Sequence, residues 1–222
     1  MDTLPIYGSH FTLEILKDAL KDQEMDESCC QFNEVDSSKV LRFDDITVEF
    51  YRVTHSIPES LGIAITTKDG VIVYAPDYNF DQNVDNIYKT EFSKLAEIAG
   101  KNVLALLTES LGAERAGYTH SSTTLDHALN QAFSNAESRI IVSAFSTDLL
   151  RIQKIIDVAL DHNRKIAIIG RKTQRTIDIA VTMGYLKIPE GSLETLKFID
   201  DKNKNELEQE ILPGLKSDPV SP

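Results

Sequence analysis

A chain of 222 residues, 41% apolar and 26% charged, has the balance of an ordinary globular protein and length for one or two domains. Its net charge of −12 speaks against a general polyanion-binding module, which needs clustered Lys and Arg, and confines any nucleic-acid contact to a local cleft. No apolar run approaches the roughly twenty residues of a membrane span. Met1-Asp2-Thr3-Leu4-Pro5 has neither a basic nor an apolar leader region, so a cytoplasmic protein with no membrane partner is expected.

Residues 12–20 space Leu13, Ile15, Leu16 and Leu20 as one face of a helix. A polar, acidic stretch follows over 21–38, and the alternation across 46–53 then predicts a half-buried strand. Segments 61–66 and 71–74 predict a hairpin, with Asp69-Gly70 supplying positive-φ turn positions. The continuous apolar run 103–107 predicts a buried strand.

Near residue 118 the rhythm changes, which suggests a first domain over 1–118 and a second over 119–222. The second part alternates a helix over 124–134, a buried strand over 139–145, a helix over 149–162, a buried strand over 165–170 and a helix over 176–183 closed by Gly184. Such alternation predicts an α/β unit with right-handed crossovers, in which 140–144 and 165–169 are adjacent parallel strands. The tail over 200–222 is charged, then rich in Pro and Ser, and is expected to fray.

The histidines are His10, His55, His120, His127 and His162, and none forms a His-x-His or His-Glu-x-x-His pattern. A catalytic zinc site needs three protein ligands, so on pattern alone each reads as a surface or hydrogen-bonded residue. His55 and Asp77 stand apart because each follows a predicted strand, where a sheet edge holds a side chain rigidly; the plain alternative for Asp77 is a turn residue or helix cap. Cys29 and Cys30 are adjacent, cannot staple a long loop, and are too few for a zinc knuckle, so they read as ordinary reduced thiols.

Several stretches, in order along the chain, resemble ribonuclease J of the metallo-β-lactamase/β-CASP family. They are Leu4-Pro5-Ile6-Tyr7-Gly8, Arg52-Val53-Thr54-His55-Ser56-Ile57-Pro58, Asp77-Tyr78-Asn79-Phe80-Asp81-Gln82, Glu114-Arg115-Ala116-Gly117-Tyr118-Thr119, Arg151-Ile152-Gln153 and Gly184-Tyr185-Leu186-Lys187-Ile188-Pro189-Glu190-Gly191. The resemblance implies part of a metallo-β-lactamase αββα sandwich followed by a β-CASP α/β domain with a parallel sheet. It implies a ribonuclease, both endonuclease and 5′-to-3′ exonuclease, in RNA processing and mRNA decay. Two divalent cations, expected to be zinc, would generate hydroxide and clamp the scissile phosphate. His55 and Asp77 match metal ligands, Asp77 the bridging one. Glu109 falls where the family places an acidic residue beside the metals, in a catalytic role, with an exposed carboxylate at a strand end as the plain alternative. Ser146, Thr147 and Asp148 correspond to a substrate-contacting β-CASP loop, and all three residue types also suit N-capping of the helix that follows.

The departures carry information too. The family's His-x-His-x-Asp-His motif and its later histidines are expected outside residues 1–222, so the metal site is incomplete and the isolated chain is expected to be inactive. Pro76 stands where the family has Gly, Asp148 where it has Asn, and Leu150 where it has a polar residue. These changes are similar to the less active second paralogue, which implies a homo-oligomer or a hetero-oligomer with another ribonuclease J. A non-catalytic partner subunit in RNA decay is therefore the competing reading, and a metallo-β-lactamase-fold hydrolase of small molecules a weaker third.

Overall fold

Strand β1 (Leu4–Gly8), helix α1 (His10–Asp22) and strand β2 (Cys30–Glu34) form a βαβ turn, the strands paired in parallel from Leu4–Cys30 to Gly8–Glu34. Parallel neighbours need a crossover, and α1 provides it, with Phe11 and Leu13 buried. The leucine spacing predicts the helix, but β2 lies inside the stretch 21–38, read only as polar and acidic. Its sequence, CQFNE, alternates over only two apolar residues, too few for a strand signal by itself, and the ladder with β1 completes it. The structure, a computed structural model, describes residues 3–117, 121–194 and 209–210. The chain divides into two units, 1–121 and 122–222.

The main sheet of the first unit has the order β3-β4-β5-β6-β7, built from Val40–Phe43, Ile46–Arg52, Leu61–Thr66, Val71–Ala75 and Val103–Thr108. β3, β4, β5 and β6 are successively antiparallel, whereas β6 and β7 are parallel. The parallel step needs a crossover, and a helix absent from the sequence expectation, α2 (Phe92–Ala99), lies on that path. At eight residues and with no side-chain cap it carries few local signals. Ile98 and Leu95 of α2 pack on Tyr51, Val53, Ala64, Val71 and Val73 of the sheet, and this cluster is the core of the unit. Tyr51 lies over Gly62, its register partner on β5; a Cβ there would fall 2.2 Å from the Tyr51 ring.

Two local expectations need correction. The β5–β6 turn runs over 67–70, closed by Thr67 N–H donating to the Gly70 carbonyl at 2.9 Å, and only Gly70 takes a positive φ, +147°. A Cβ at Gly70 would also lie 2.5 Å from the Asn102 carbonyl oxygen, so glycine is needed there for space as well. β7 forms as expected but is not buried: Leu104, Leu106 and Leu107 are 54%, 60% and 54% exposed. It is the edge strand, and a continuous apolar run is buried only when elements cover both faces.

The second unit contains α3 (Ser122–Asn135), α4 (Leu149–Asp161) and α5 (Arg171–Thr182). α3 and α4 match the expected helices. α5 starts five residues before the expected one, after Gly170 at φ +108°, and ends just before Gly184 at φ +80°. The expected parallel pair 140–144 and 165–169 is not formed among the described residues. β8 is only Arg139–Ile140 and pairs in parallel with β9 (Gln209–Glu210), while Ile166 makes an isolated parallel bridge to Leu193. Ile140 and Ile166 nevertheless pack on one core of Leu129, Phe133, Val158 and Ala159 between α3 and α4. Beyond those residues the apolar runs lose cover, with Ile141, Phe145 and Ile169 exposed, so nothing drives a long ladder. Apart from 209–210, the tail expected to fray lies outside the described residues, as do Tyr118 and Thr119.

Candidate metal centre at the strand ends

β4, β6 and β7 run in the same direction, with β5 antiparallel between the first two, so their C-terminal ends share one edge of the sheet. His55 follows β4, Asp77 follows β6 and Glu109 follows β7 directly. β4 and β6 are not neighbours, so strand pairing does not itself bring His55 to Asp77. The segments beyond the strands do. Thr54 and Asn79 form an isolated antiparallel bridge beyond the start of β5, with Asn79 N–H donating to the Thr54 carbonyl at 2.9 Å.

Thr54 is fully buried and locked to Thr90 in both directions. Thr54 N–H donates to Thr90 Oγ1 at 2.9 Å, Thr90 N–H donates to Thr54 Oγ1 at 3.0 Å, and the hydroxyls lie 3.0 Å apart. Two residues before Thr54, Glu91 grips Arg52 at the end of β4. Its carboxylate accepts from Arg52 N–H at 3.1 Å, Arg52 Nη2 at 2.9 Å and Ser37 Oγ at 2.9 Å. Burial pushes the Glu91 carboxyl up, but the bonds from Ser37 and Arg52 more than offset this and leave it below its usual range. Thr90 and Glu91 carry no motif and were not singled out from sequence.

On this support His55 Nε2 stands 3.8 Å from Asp77 Oδ2, the Asp77 side chain open to solvent and that of His55 mostly covered. Glu109 is half-buried and reaches the same place through a long hydrogen bond, 3.5 Å, from Tyr78 N–H to its Oε1. The following loop is ordered by its own side chains: Asn79 Oδ1 accepts from Asp81 N–H, and Asp81 Oδ1 accepts from Asn83 N–H, both at 2.9 Å. His55 and Asp77 are donors suited to zinc, but a catalytic site needs at least three protein ligands. Among the described residues no group of three or more His, Cys, Asp or Glu could hold a metal. Two such donors fall short of that number, and no hydrolytic step can be derived from these residues alone.

In the second unit, Asp148 is buried and caps α4, its Oδ1 accepting from Arg151 N–H at 3.1 Å. Its other oxygen lies 3.3 Å from Arg151 Nε, close enough for an ion pair though not aligned as a hydrogen bond. Ser146 and Thr147 are half-buried just before the cap. Among the described residues no helix is long and apolar enough to cross a membrane.

Residues 137–212 match the ribonuclease J β-CASP domain. The chain is 33% identical over 216 residues to ribonuclease J 2 of Staphylococcus aureus strain NCTC 8325, covering 97% of this chain and 38% of that protein. This is a ribonuclease J-type stretch. Ribonuclease J 2 of Staphylococcus epidermidis is similar at 34% identity over the same share of the chain. The stretch thus spans less than two fifths of the length of the curated relatives it matches. A crystal structure of an Enterococcus faecalis V583 protein of unknown function superposes on 95% of the ribonuclease J-type chain with a TM-score of 0.65. It covers 53% of that protein at 14% identity, a likeness of fold alone.

Proposed function

We propose that this ribonuclease J-type stretch serves in a metal-dependent ribonuclease of RNA processing and mRNA decay, contributing His55 and Asp77 to a two-cation centre. The observation that carries the reading is the approach of His55 to Asp77 at the shared ends of parallel strands, on a ribonuclease J-like sequence. Zinc is the expected cation, given an imidazole and a carboxylate as donors. The cations would supply a hydroxide nucleophile and a clamp on the scissile phosphate. Glu109, which accepts from Tyr78 N–H, would orient a neighbouring ligand or water. Ser146 and Thr147 offer hydroxyls to RNA, whereas the Asp148 carboxylate is already engaged in capping α4.

That engagement favours a second reading. An acidic residue committed to the helix at the substrate loop, in a chain similar to proteins named ribonuclease J 2, fits a weakly active subunit that works beside another ribonuclease J. The two readings separate in one experiment. The 222-residue chain alone should not cleave a 5′-monophosphorylated RNA with Zn²⁺ or Mn²⁺ present. Supplied with the ribonuclease J sequence that its relatives carry outside the aligned stretch, it should cleave, and His55→Ala or Asp77→Asn should abolish cleavage. Cleavage that survives both substitutions would refute the ligand assignment. An extended protein that binds a ribonuclease J paralogue but leaves RNA intact would favour the subunit reading.

A further inference from the structure

Cys29 closes the 3₁₀ turn Glu27–Cys29 and Cys30 opens β2, and this change of backbone decides where their sulfurs go. Inside a strand, consecutive side chains point to opposite faces. Here only Cys30, at φ −115° and ψ 138°, is extended, and the two Sγ atoms meet at 3.5 Å. Both thiols are free, Cys29 exposed and Cys30 half-buried. Cys29 S–H donates to the Asp26 carbonyl at 2.9 Å, which leaves the Cys30 S–H to bridge the pair. That bridge holds the Cys30 thiol above its ordinary range, and the nearby Asp26 and Glu27 carboxylates reinforce it.

Three chemistries compete for such a pair. A direct disulfide requires sulfurs about 2.0 Å apart and Cα atoms more than about 4.4 Å apart. Consecutive residues on a trans peptide have Cα atoms only about 3.8 Å apart, so that bond is strained from the start. Zinc requires further ligands beside two thiolates, and no group of three ligating residues occurs among the described residues. A trivalent thiophile bearing two hydroxyls needs only two thiols, takes them protonated, and spans the sulfurs without drawing them into bonding contact.

We propose that Cys29 and Cys30 form a dithiol site for trivalent arsenicals and chemically equivalent thiophiles. With an arsonous acid, R–As(OH)₂, two As–O bonds break and two As–S bonds form. Each thiol proton leaves with a hydroxide as water, so two waters are released and no electrons are transferred. The site is independent of the ribonuclease reading.

Phenylarsine oxide, titrated into the 222-residue chain and read by intact-mass spectrometry, tests it. One arsenical should bind per chain, survive excess 2-mercaptoethanol and be released by dithiothreitol. Cys29→Ser and Cys30→Ser should each weaken retention by on the order of a hundredfold, the usual gain from joining two binding groups. Both sites are solvent-accessible, and circular dichroism will show that the variants keep their fold. Loss of the parent adduct to monothiol, or equal retention by either variant, would overturn the proposal. So would a stable one-to-one zinc complex that needs both cysteines in a chain that fails to retain the arsenical.

Discussion

Replacing Thr54 by Val keeps the shape of the side chain and removes one oxygen, which makes it a sharp probe of the support under His55. Thr54 is fully buried and Thr90 is 6% exposed, so neither water nor side-chain motion can replace what is lost. Thr90 N–H loses its acceptor at 3.0 Å, and Thr90 Oγ1 loses its 3.0 Å hydroxyl partner. A hydrogen bond contributes about 1 kcal/mol net, and a buried donor left unpaired costs a further 1–3 kcal/mol. Thr54→Val should therefore destabilise the first unit by about 2–4 kcal/mol. Thr54→Ser keeps the oxygen and deletes one buried methyl, at about 1 kcal/mol. Urea titration followed by tyrosine emission suits the measurement, because Tyr51, Tyr78 and Tyr88 all lie in this unit. The order of the variants decides the matter: if Thr54→Val is as stable as Thr54→Ser, packing rather than hydrogen bonding holds Thr54. The reciprocal lock would then not be what aligns His55 with Asp77.

Glu91 has a depressed folded carboxyl, so its contribution is full above the unfolded value of about 4.3 and is lost as pH falls through the lower folded value. Urea midpoints between pH 3 and 7 should show the advantage of the parent over Glu91→Gln shrinking only at the acid end. Tyr51 behaves oppositely: burial pushes its phenol up to about 12, so its contribution is complete below the unfolded value of about 10 and disappears as pH climbs from there to 12. Tyr51→Phe, which deletes the 3.0 Å bond to the Tyr74 carbonyl, should cost about 1 kcal/mol at neutral pH and flatten that alkaline decline. Gly62→Ala would set a Cβ 2.2 Å from Tyr51 Cζ in a ring that is 1% exposed, so the thermal midpoint should fall by the equivalent of about 1–3 kcal/mol of overpacking.

Local periodicity made β4, β5 and β6 legible, along with α1, α3 and α4, because in each the apolar spacing and the buried face coincide. β2 was not legible, since CQFNE becomes a strand through a partner 26 residues earlier rather than through its own pattern. β7 shows the converse. Its run of apolar residues specifies a strand but not its place in the sheet, and an edge position leaves three leucines exposed. The runs after Arg139 and Arg164 likewise looked like ladder strands. Only Ile140 and Ile166 pack on the α3–α4 core, and Ile141, Phe145 and Ile169 stay exposed.

The candidate pair was legible in the sequence, and the residues that support it were silent. His55 and Asp77 could be picked out because each follows a strand within a recognisable run, yet adjacency of those strands is not what joins them. Their meeting depends on a backbone bridge from Thr54 to Asn79 and on Thr90 and Glu91, more than thirty residues from the groups they hold. Such contacts leave no spacing signal, because the intervening chain sets no period. They, rather than the pair itself, set the approach. The Asp77 carboxylate stays 71% exposed, so its approach to His55 involves little desolvation and equally little attraction. A pair that weak cannot draw two loops together; the buried threonines hold the loops, and the pair is placed as a consequence.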